Sequence, residues 1–261
     1  MEYYPNYYPS FRCIADKCFH SCCRGWEIDV DEASLKRYGD HPDIIRYIKD
    51  GCFILDDKEN CPFLREDGLC RMILRYGEDM LCDICKDHPR FRNYRGDDVY
   101  TGLGLCCEAA ASLILDQEEP FALVPGKKLG EVFKLIEEKR DDILSVIDRF
   151  SPVTLSPSER AELFLSLERL DPEWDKMLLK ITDDNGETSC DAVTSRRLSN
   201  FASYILFRHG EDKIRFAGEC TLLIYDLYRA GYEIAEAARM FSCEVEYSDI
   251  NPRILLNRFE E

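Results

Sequence analysis

Eleven cysteines crowd the first 107 residues: Cys13, Cys18, Cys22, Cys23, Cys52, Cys61, Cys70, Cys82, Cys85, Cys106 and Cys107. Only Cys190, Cys220 and Cys243 fall in the remaining 154. A segment near 10% cysteine signals a cross-linked or metal-bound framework. The start, Met1-Glu2-Tyr3-Tyr4-Pro5, has neither the basic opening nor the apolar run of a signal peptide. The expected compartment is therefore the cytoplasm, where thiols stay reduced and cysteines at this density read as metal ligands before disulfides. A thiolate is a soft ligand for zinc, Cu(I) and clustered iron. Four thiolates complete a tetrahedral zinc site or hold one iron–sulfur cluster. The neighbours Cys22 and Cys23 point apart and do not easily face one metal, so the pattern favours two adjoining sites.

Zinc sites commonly use two short paired hooks, and only Cys82-x2-Cys85 has that form here. The irregular gaps elsewhere suit a cluster fed from several segments. The radical-SAM spacing C-x3-C-x2-C is absent, because Cys18 and Cys22 match its first half but Gly25 stands where the third thiol belongs. His20 and His88 have ligating nitrogens, although a lone histidine beside cysteines more often hydrogen-bonds than ligates.

The chain carries a formal charge of −17. Residues 1–107 hold 15 basic against 20 acidic side chains, and residues 108–261 hold 19 against 31. Such a field repels nucleic acid and anionic membrane and favours cationic partners. No basic patch with interleaved aromatics is present, which sets nucleic-acid binding aside. No apolar run reaches the 18 residues of a membrane span. Hydrophobic residues make up 45% of the chain, enough to bury a core.

The elements that must hold these thiols are short. Residues 1–12 read as an extended arm, since Pro5 and Pro9 bar a regular helix. Asp29 or Asp31 can cap a helix that runs through Tyr38 to Gly39. Pro42 suits the first position of a helix over 42–49, with Ile44, Ile45 and Ile48 on one side and Gly51 as its stop. Residues 52–70 read as short strands and turns. Helical spacing returns over 70–76 and 78–86, and an apolar helix reaches Leu115 from Cys106-Cys107. Residues 116–127, with Pro120, Pro125 and Gly126, read as a linker. Apolar residues then recur at helical intervals from Leu129 through Arg149. The capping box Ser156-Pro157-Ser158-Glu159 opens a helix to about Leu170. A polar loop over 183–191 precedes helices at 194–208, 212–230, 233–242 and 249–259. The expectation is a mainly α protein. Its cysteine-rich, metal-stapled amino-terminal part (1–115) carries short strands and packs on a helical carboxy-terminal part (116–261).

Several of these motifs resemble the flagellin lysine-N-methylase family and the wider family of zinc- or iron-chelating cysteine-cluster proteins. They are Arg12-Cys13, Cys18, Ser21-Cys22-Cys23-Arg24-Gly25-Trp26, Cys61-Pro62-Phe63-Leu64 with Gly68-Leu69-Cys70, and Cys85-Lys86-Asp87-His88-Pro89-Arg90. Cys106-Cys107-Glu108-Ala109-Ala110 and the tail around Tyr204, Phe207-Arg208, Phe216-Ala217, Glu244-Val245-Glu246-Tyr247-Ser248 and Asn251 match as well. By that pattern the family cysteines fall on Cys13, Cys18, Cys22, Cys23, Cys61, Cys70, Cys85 and Cys106, enough for two four-thiolate sites. Cys52, Cys82 and Cys107 look additional.

The resemblance implies methyl transfer from S-adenosylmethionine to lysines of flagellin or another protein, with an iron–sulfur cluster, 4Fe-4S before zinc. This chain is shorter than the longer members and has no glycine-rich nucleotide fingerprint after a strand; Gly102-x-Gly104 precedes cysteines instead. A lysine amine attacks a sulfonium methyl only when neutral, so desolvation or a base must remove its proton. Tyrosines and carboxylates suit the lining of such a site. The sequence names no catalytic residue: Arg90 and Glu108 flank family cysteines and read as hydrogen-bond partners of thiolates. The competing expectations are a non-catalytic zinc- or iron-binding module and an iron–sulfur redox protein.

Overall fold

A computed structural model describes every residue except 152–153, 185–189 and 261. Helices hold about half of the chain and strands are short, which makes the fold mainly α. The chain divides into two compact units. One comprises Arg12–Phe91; the other is discontinuous, built from Met1–Phe11 and Arg92–Glu261. This division does not follow the sequence boundary at 115/116, because the amino-terminal arm and residues 92–115 pair and pack within the helical unit.

Strand pairing explains that membership. The arm forms β1 (Glu2–Pro5). Further on come β4 (Arg90–Arg95), which begins at the end of the cysteine unit, β5 (Asp98–Leu103) and β6 (Leu123–Val124), after the short β2 (Ile48–Lys49) and β3 (Cys52–Phe53). The sheet order is β4-β5-β1-β6. β1 runs parallel to β5, with Tyr3 opposite Tyr100, and antiparallel to β6, with Tyr4 opposite Val124. Residues 116–127, expected as a linker, thus contain a strand. Its partner lies more than a hundred residues away, so no local signal announces it.

In the helical unit α5 (Glu108–Leu115), α6 (Glu131–Glu138) and α7 (Ile143–Phe150) lead to α8 (Pro157–Leu165) and α9 (Pro172–Leu178). The later helices are α10 (Ala192–His209), α11 (Ile214–Arg229), α12 (Ile234–Phe241) and α13 (Asn251–Glu260). α10 packs against α5, α6, α7 and α11, and is buried around most of its circumference. The helical periodicity read from Leu129 through Arg149 is realised as two helices, α6 and α7, separated at residues 139–142. The Ser156–Glu159 capping box forms as expected, with Glu159 accepting from the Ser156 amide at 2.9 Å. Its helix stops at Leu165 rather than Leu170, and α9 restarts at the Asp171 cap. Of the expected loop at 183–191, residues 185–189 lie outside the described residues.

The cysteine unit contains α1 (Glu32–Tyr38), α2 (Pro42–Ile45), α3 (Arg71–Tyr76) and α4 (Asp83–Asp87). Asp31 caps α1, and Gly39 follows its last residue. The helix expected over 42–49 ends at Ile45; the chain then turns back as the β2–β3 hairpin. Asp50 and Gly51 sit at the bend with φ of 52° and 88°. Two consecutive positive φ values are what a two-residue hairpin demands, and Asp-Gly supplies them at low cost.

Candidate metal centre

The core of the cysteine unit is built from Ile28, Val30, Tyr38, Ile44, Phe53, Phe63 and Met72 together with the thiols of Cys61 and Cys82. Cys23, Cys70 and Cys85 pack against it, half-buried. Five cysteines from three segments therefore surround one apolar centre, and Cys22 approaches from the exposed side to hydrogen-bond Cys23.

Local structure aims each of them. The backbone of Cys23 pairs with that of Cys61, whose N–H donates to the Cys23 carbonyl at 2.8 Å. A second pairing, Leu64 with Cys70, closes a tight loop through Gly68 and returns Cys70 toward Cys61. Gly68 has a φ of +79°, and a Cβ there would press on the Asp16 backbone at 3.3 Å, so both conformation and space favour glycine. Helix α1 holds the third segment: Tyr38 donates to the Met80 carbonyl at 2.6 Å and Arg37 to the Leu81 carbonyl at 2.9 Å. The Asp31 carboxylate caps the start of α4 as well as α1, which places Cys82 and Cys85 one helical turn apart.

The thiols polarise one another in pairs. Hydrogen bonds from Cys22 and then Cys61 pull the Cys23 thiol down to about 3, while donation to Cys23 and burial push Cys61 up. Cys82 is lowered by its bond from Cys85, and Cys85 is raised in return. Burial raises Cys70. In each close pair one thiol is thus favoured and its partner disfavoured as thiolate, since two adjacent thiolates repel each other in an apolar surround. A soft cation between the pairs would relieve that repulsion and displace the remaining protons. His88 lies near Cys23, and burial lowers it to about 4. Its ring meets the Trp26 indole edge-on at 5.4 Å.

Among the described residues, three ligand atoms come within 4.8 Å of one another at Glu27, Asp29 and Cys52, outside this group. Among the described residues no three thiols converge so tightly. A zinc ion with bonds of about 2.3 Å would draw its sulfurs to roughly 3.8 Å from one another. The donor set fits soft-metal chemistry.

Of the eight cysteines in the family pattern, the structure gathers Cys22, Cys23, Cys61, Cys70 and Cys85. Cys13 and Cys18 belong to the same unit but stand on its outer loop: the Cys13 sulfur accepts from the Ala15 amide at 3.4 Å, and Cys18 donates to the His20 carbonyl at 3.1 Å. Cys106 belongs to the helical unit, beside Tyr247 and Cys243, where burial raises its thiol. Cys82, which looked additional, joins the inner group; the signal was its two-residue spacing from Cys85. No disulfide joins any of the fourteen cysteines.

The tail motif also has a place. Glu246, fully buried on a π-helical turn over Ser242–Glu246, accepts hydrogen bonds from Tyr204 at 2.7 Å and Ser242 at 2.6 Å. It pairs with Arg208 and contacts His209, each at 3.2 Å. Burial alone would raise this carboxyl, but Arg208 and His209 outweigh it and hold it below the usual range. Arg208 in turn lies over the Tyr247 ring.

Comparison with known proteins gives the relationship. The flagellar biosynthetic protein FliU of Salmonella muenchen is 32% identical over 139 residues, spanning 48% of this chain and 81% of that protein. The chain belongs to the FliU and lysine-N-methylase family. The lysine-N-methylases of Salmonella typhimurium and Salmonella choleraesuis are each 31% identical over 144 residues. That alignment spans 49% of this chain and 36% of either methylase. No family model matches the chain, and no solved structure does. In this member of the FliU and lysine-N-methylase family, no helix among the described residues is long and apolar enough to cross a membrane.

Proposed function

We propose that this chain is a cytoplasmic protein-lysine N-methyltransferase that uses S-adenosylmethionine, acts on flagellin or another lysine-bearing protein, and carries an iron–sulfur cluster. Its similarity to proteins named lysine-N-methylase is the observation that carries this reading. The inner thiols support the cluster. Cys23, Cys61, Cys70, Cys82 and Cys85 would supply its ligands, with Cys22 and His88 at its edge. Their soft donors suit clustered iron, and the irregular gaps between them along the chain favour a cluster over a zinc site built from two paired hooks.

S-adenosylmethionine supplies an electrophilic methyl: a neutral lysine nitrogen forms the N–C bond as the sulfonium C–S bond breaks, and the methylated nitrogen then sheds its proton. The protein's part is to desolvate the amine and to hold it in line. The charge of −17 suits recruitment of a lysine-rich segment.

The test mixes anaerobically prepared protein with S-adenosylmethionine and candidate flagellins. Added mass in methyl steps on lysines, present with the metal-loaded protein and absent after metal removal, supports the reading. A non-catalytic metal module is favoured by one fact, the restriction of the similarity to 36% of each methylase. Saturation of the metal site with no S-adenosylmethionine binding at millimolar concentration would establish that second reading. A reversible colour change on reduction without methyl transfer would select a redox protein.

A further inference from the structure

Four of the inner thiols are held in two pairs by the backbone alone. Cys23 stands directly opposite Cys61 on the antiparallel run that continues with Arg24 opposite Asn60 and Gly25 opposite Glu59. Residues so opposed have Cα atoms about 5.5 Å apart. A disulfide spans about 4.4–6.8 Å between Cα atoms. The run ends at this pair, because the Cys23 N–H turns to the Ser21 hydroxyl at 3.3 Å, which leaves the two residues free to adjust. Cys82 is the N-cap of α4 and Cys85 stands three positions on, in its first turn. Side chains at that spacing face each other on a helix. Sulfur already meets sulfur in both pairs: Cys61 donates to Cys23, and Cys85 to Cys82. Each pair also joins one half-exposed thiol, Cys23 or Cys85, to one buried thiol, Cys61 or Cys82. Cys70 belongs to neither pair.

We propose that the two pairs are a reversible oxidation site: peroxide closes Cys23–Cys61 and Cys82–Cys85 as disulfides, which exclude the metal and keep the cysteine unit folded until a dithiol reductant reopens them. The inference names a regulation of the proposed metal site and rests on that reading only for what occupies the thiols.

The chemistry balances within each pair. The half-exposed sulfur attacks hydrogen peroxide, the O–O bond breaks, and a sulfenic acid forms with release of water. The buried partner then attacks that sulfur. The S–S bond forms, and the hydroxyl departs with the partner's proton as a second water. Two electrons pass from the pair to the peroxide, so two thiols and one peroxide give one disulfide and two waters. Two thiol–disulfide exchanges reverse the step and leave the reductant as its own cyclic disulfide. A sulfur in a disulfide has no thiolate to offer, so oxidation and metal binding compete for the same atoms.

The unit stays folded because the cross-links replace what the metal supplied. Cys23–Cys61 joins two of the three thiol-bearing segments across 38 positions, and a cross-link over so long a loop restrains the unfolded chain strongly. The third segment needs no thiol to hold it. Tyr38 and Arg37 donate to the carbonyls of Met80 and Leu81, and Asp31 accepts from the Asp83 amide.

The experiment treats the full, metal-loaded chain with hydrogen peroxide, alkylates the remaining thiols and maps the peptides by mass spectrometry. Metal content and hydrogen exchange over residues 12–91 are followed in parallel. Support requires that four of the five inner thiols lose alkylation, that they map as Cys23–Cys61 and Cys82–Cys85, and that Cys70 still alkylates. Metal should leave in step with the disulfides while protection over residues 12–91 persists, whereas chelation under reductant should abolish it. Dithiothreitol with fresh metal should restore both the thiols and the metal content. Any other dominant pairing, oxidation that runs on to sulfinic acid, or loss of protection along with disulfide formation would overturn the proposal. The two mapped disulfides in a chain that takes up no soft metal would keep the oxidation site and remove the metal reading. Full metal uptake with unspecific pairing on oxidation would do the reverse.

Discussion

The side chain of Asp31 accepts a hydrogen bond from the backbone N–H of Asp83, 52 positions later in the chain, at 2.9 Å. The same carboxylate accepts from the Ser34 amide at 2.8 Å and the Ser34 hydroxyl at 2.7 Å. One residue thus caps two helices and fixes the segment that carries Cys82.

These bonds, that from Asp83 foremost, lower the Asp31 carboxyl to about 2, against 3.8 for an ordinary aspartate. The folded state therefore binds this proton less readily than the unfolded chain. The stabilisation is fully present above pH 4 and is lost as pH falls toward 2. Asp31→Asn should cost about 1–2 kcal/mol at neutral pH, the range of a helix cap, and should flatten the acid limb of the stability profile. Chemical denaturation of the metal-loaded protein as pH falls from 7 toward 2, with metal content followed alongside, checks both; an unchanged acid limb at constant metal content would refute the double cap.

Replacing Cys61 or Cys82 with serine should lower metal content, since both sulfurs sit in the core of the inner group. Cys190→Ser should leave metal content unchanged. Cys220→Ser should do the same while costing about 1–3 kcal/mol, because Cys220 is fully buried in α11 and a hydroxyl there is desolvated. Metal analysis alongside thermal melts separates the two effects. Equal metal loss from both groups would mean the centre has been drawn wrongly.

Metal removal should melt the cysteine unit before the helical one. Its elements are short, the longest helix being the seven residues of α1, and its core includes the thiols themselves. Ligand binding energy is then folding energy. Hydrogen exchange after chelation should show protection lost first over residues 12–91. Uniform loss across the chain would contradict it.

Glu246→Gln should destabilise the helical unit by about 3 kcal/mol, because it leaves the buried Arg208 cation without its counter-charge. Metal content at the inner thiols should not change. A melt near that of the unaltered protein would show that the network is not held by this charge.

Legibility in the sequence followed the range of the forces involved. The Ser156 capping box and the Asp31 cap are decided within four residues and were readable. At 42–53 two local signals conflicted. Ile44, Ile45 and Ile48 suggested a continuing helix, while Asp50-Gly51 specified a hairpin, and the turn prevailed because only two positive φ values let the chain reverse. The β6 strand was hidden because its partner Tyr4 lies 120 positions away. The thiol pattern conveyed the chemistry of the centre but not its membership. Cys82 joins Cys61 through the bracket that Asp31, Arg37 and Tyr38 form on α1, a tertiary arrangement that spacing does not encode.

The discontinuity of the helical unit bears on how the protein is made. During synthesis β1 leaves the ribosome well before both neighbours that pair with it, since β5 and β6 come after residue 97. The whole of residues 12–91 emerges in the interval. The thiol unit can therefore complete itself while the β1 strand still waits without a sheet. Closing the β1–β5 ladder then spans nearly a hundred residues, a late and slow event by the entropy of so large a loop.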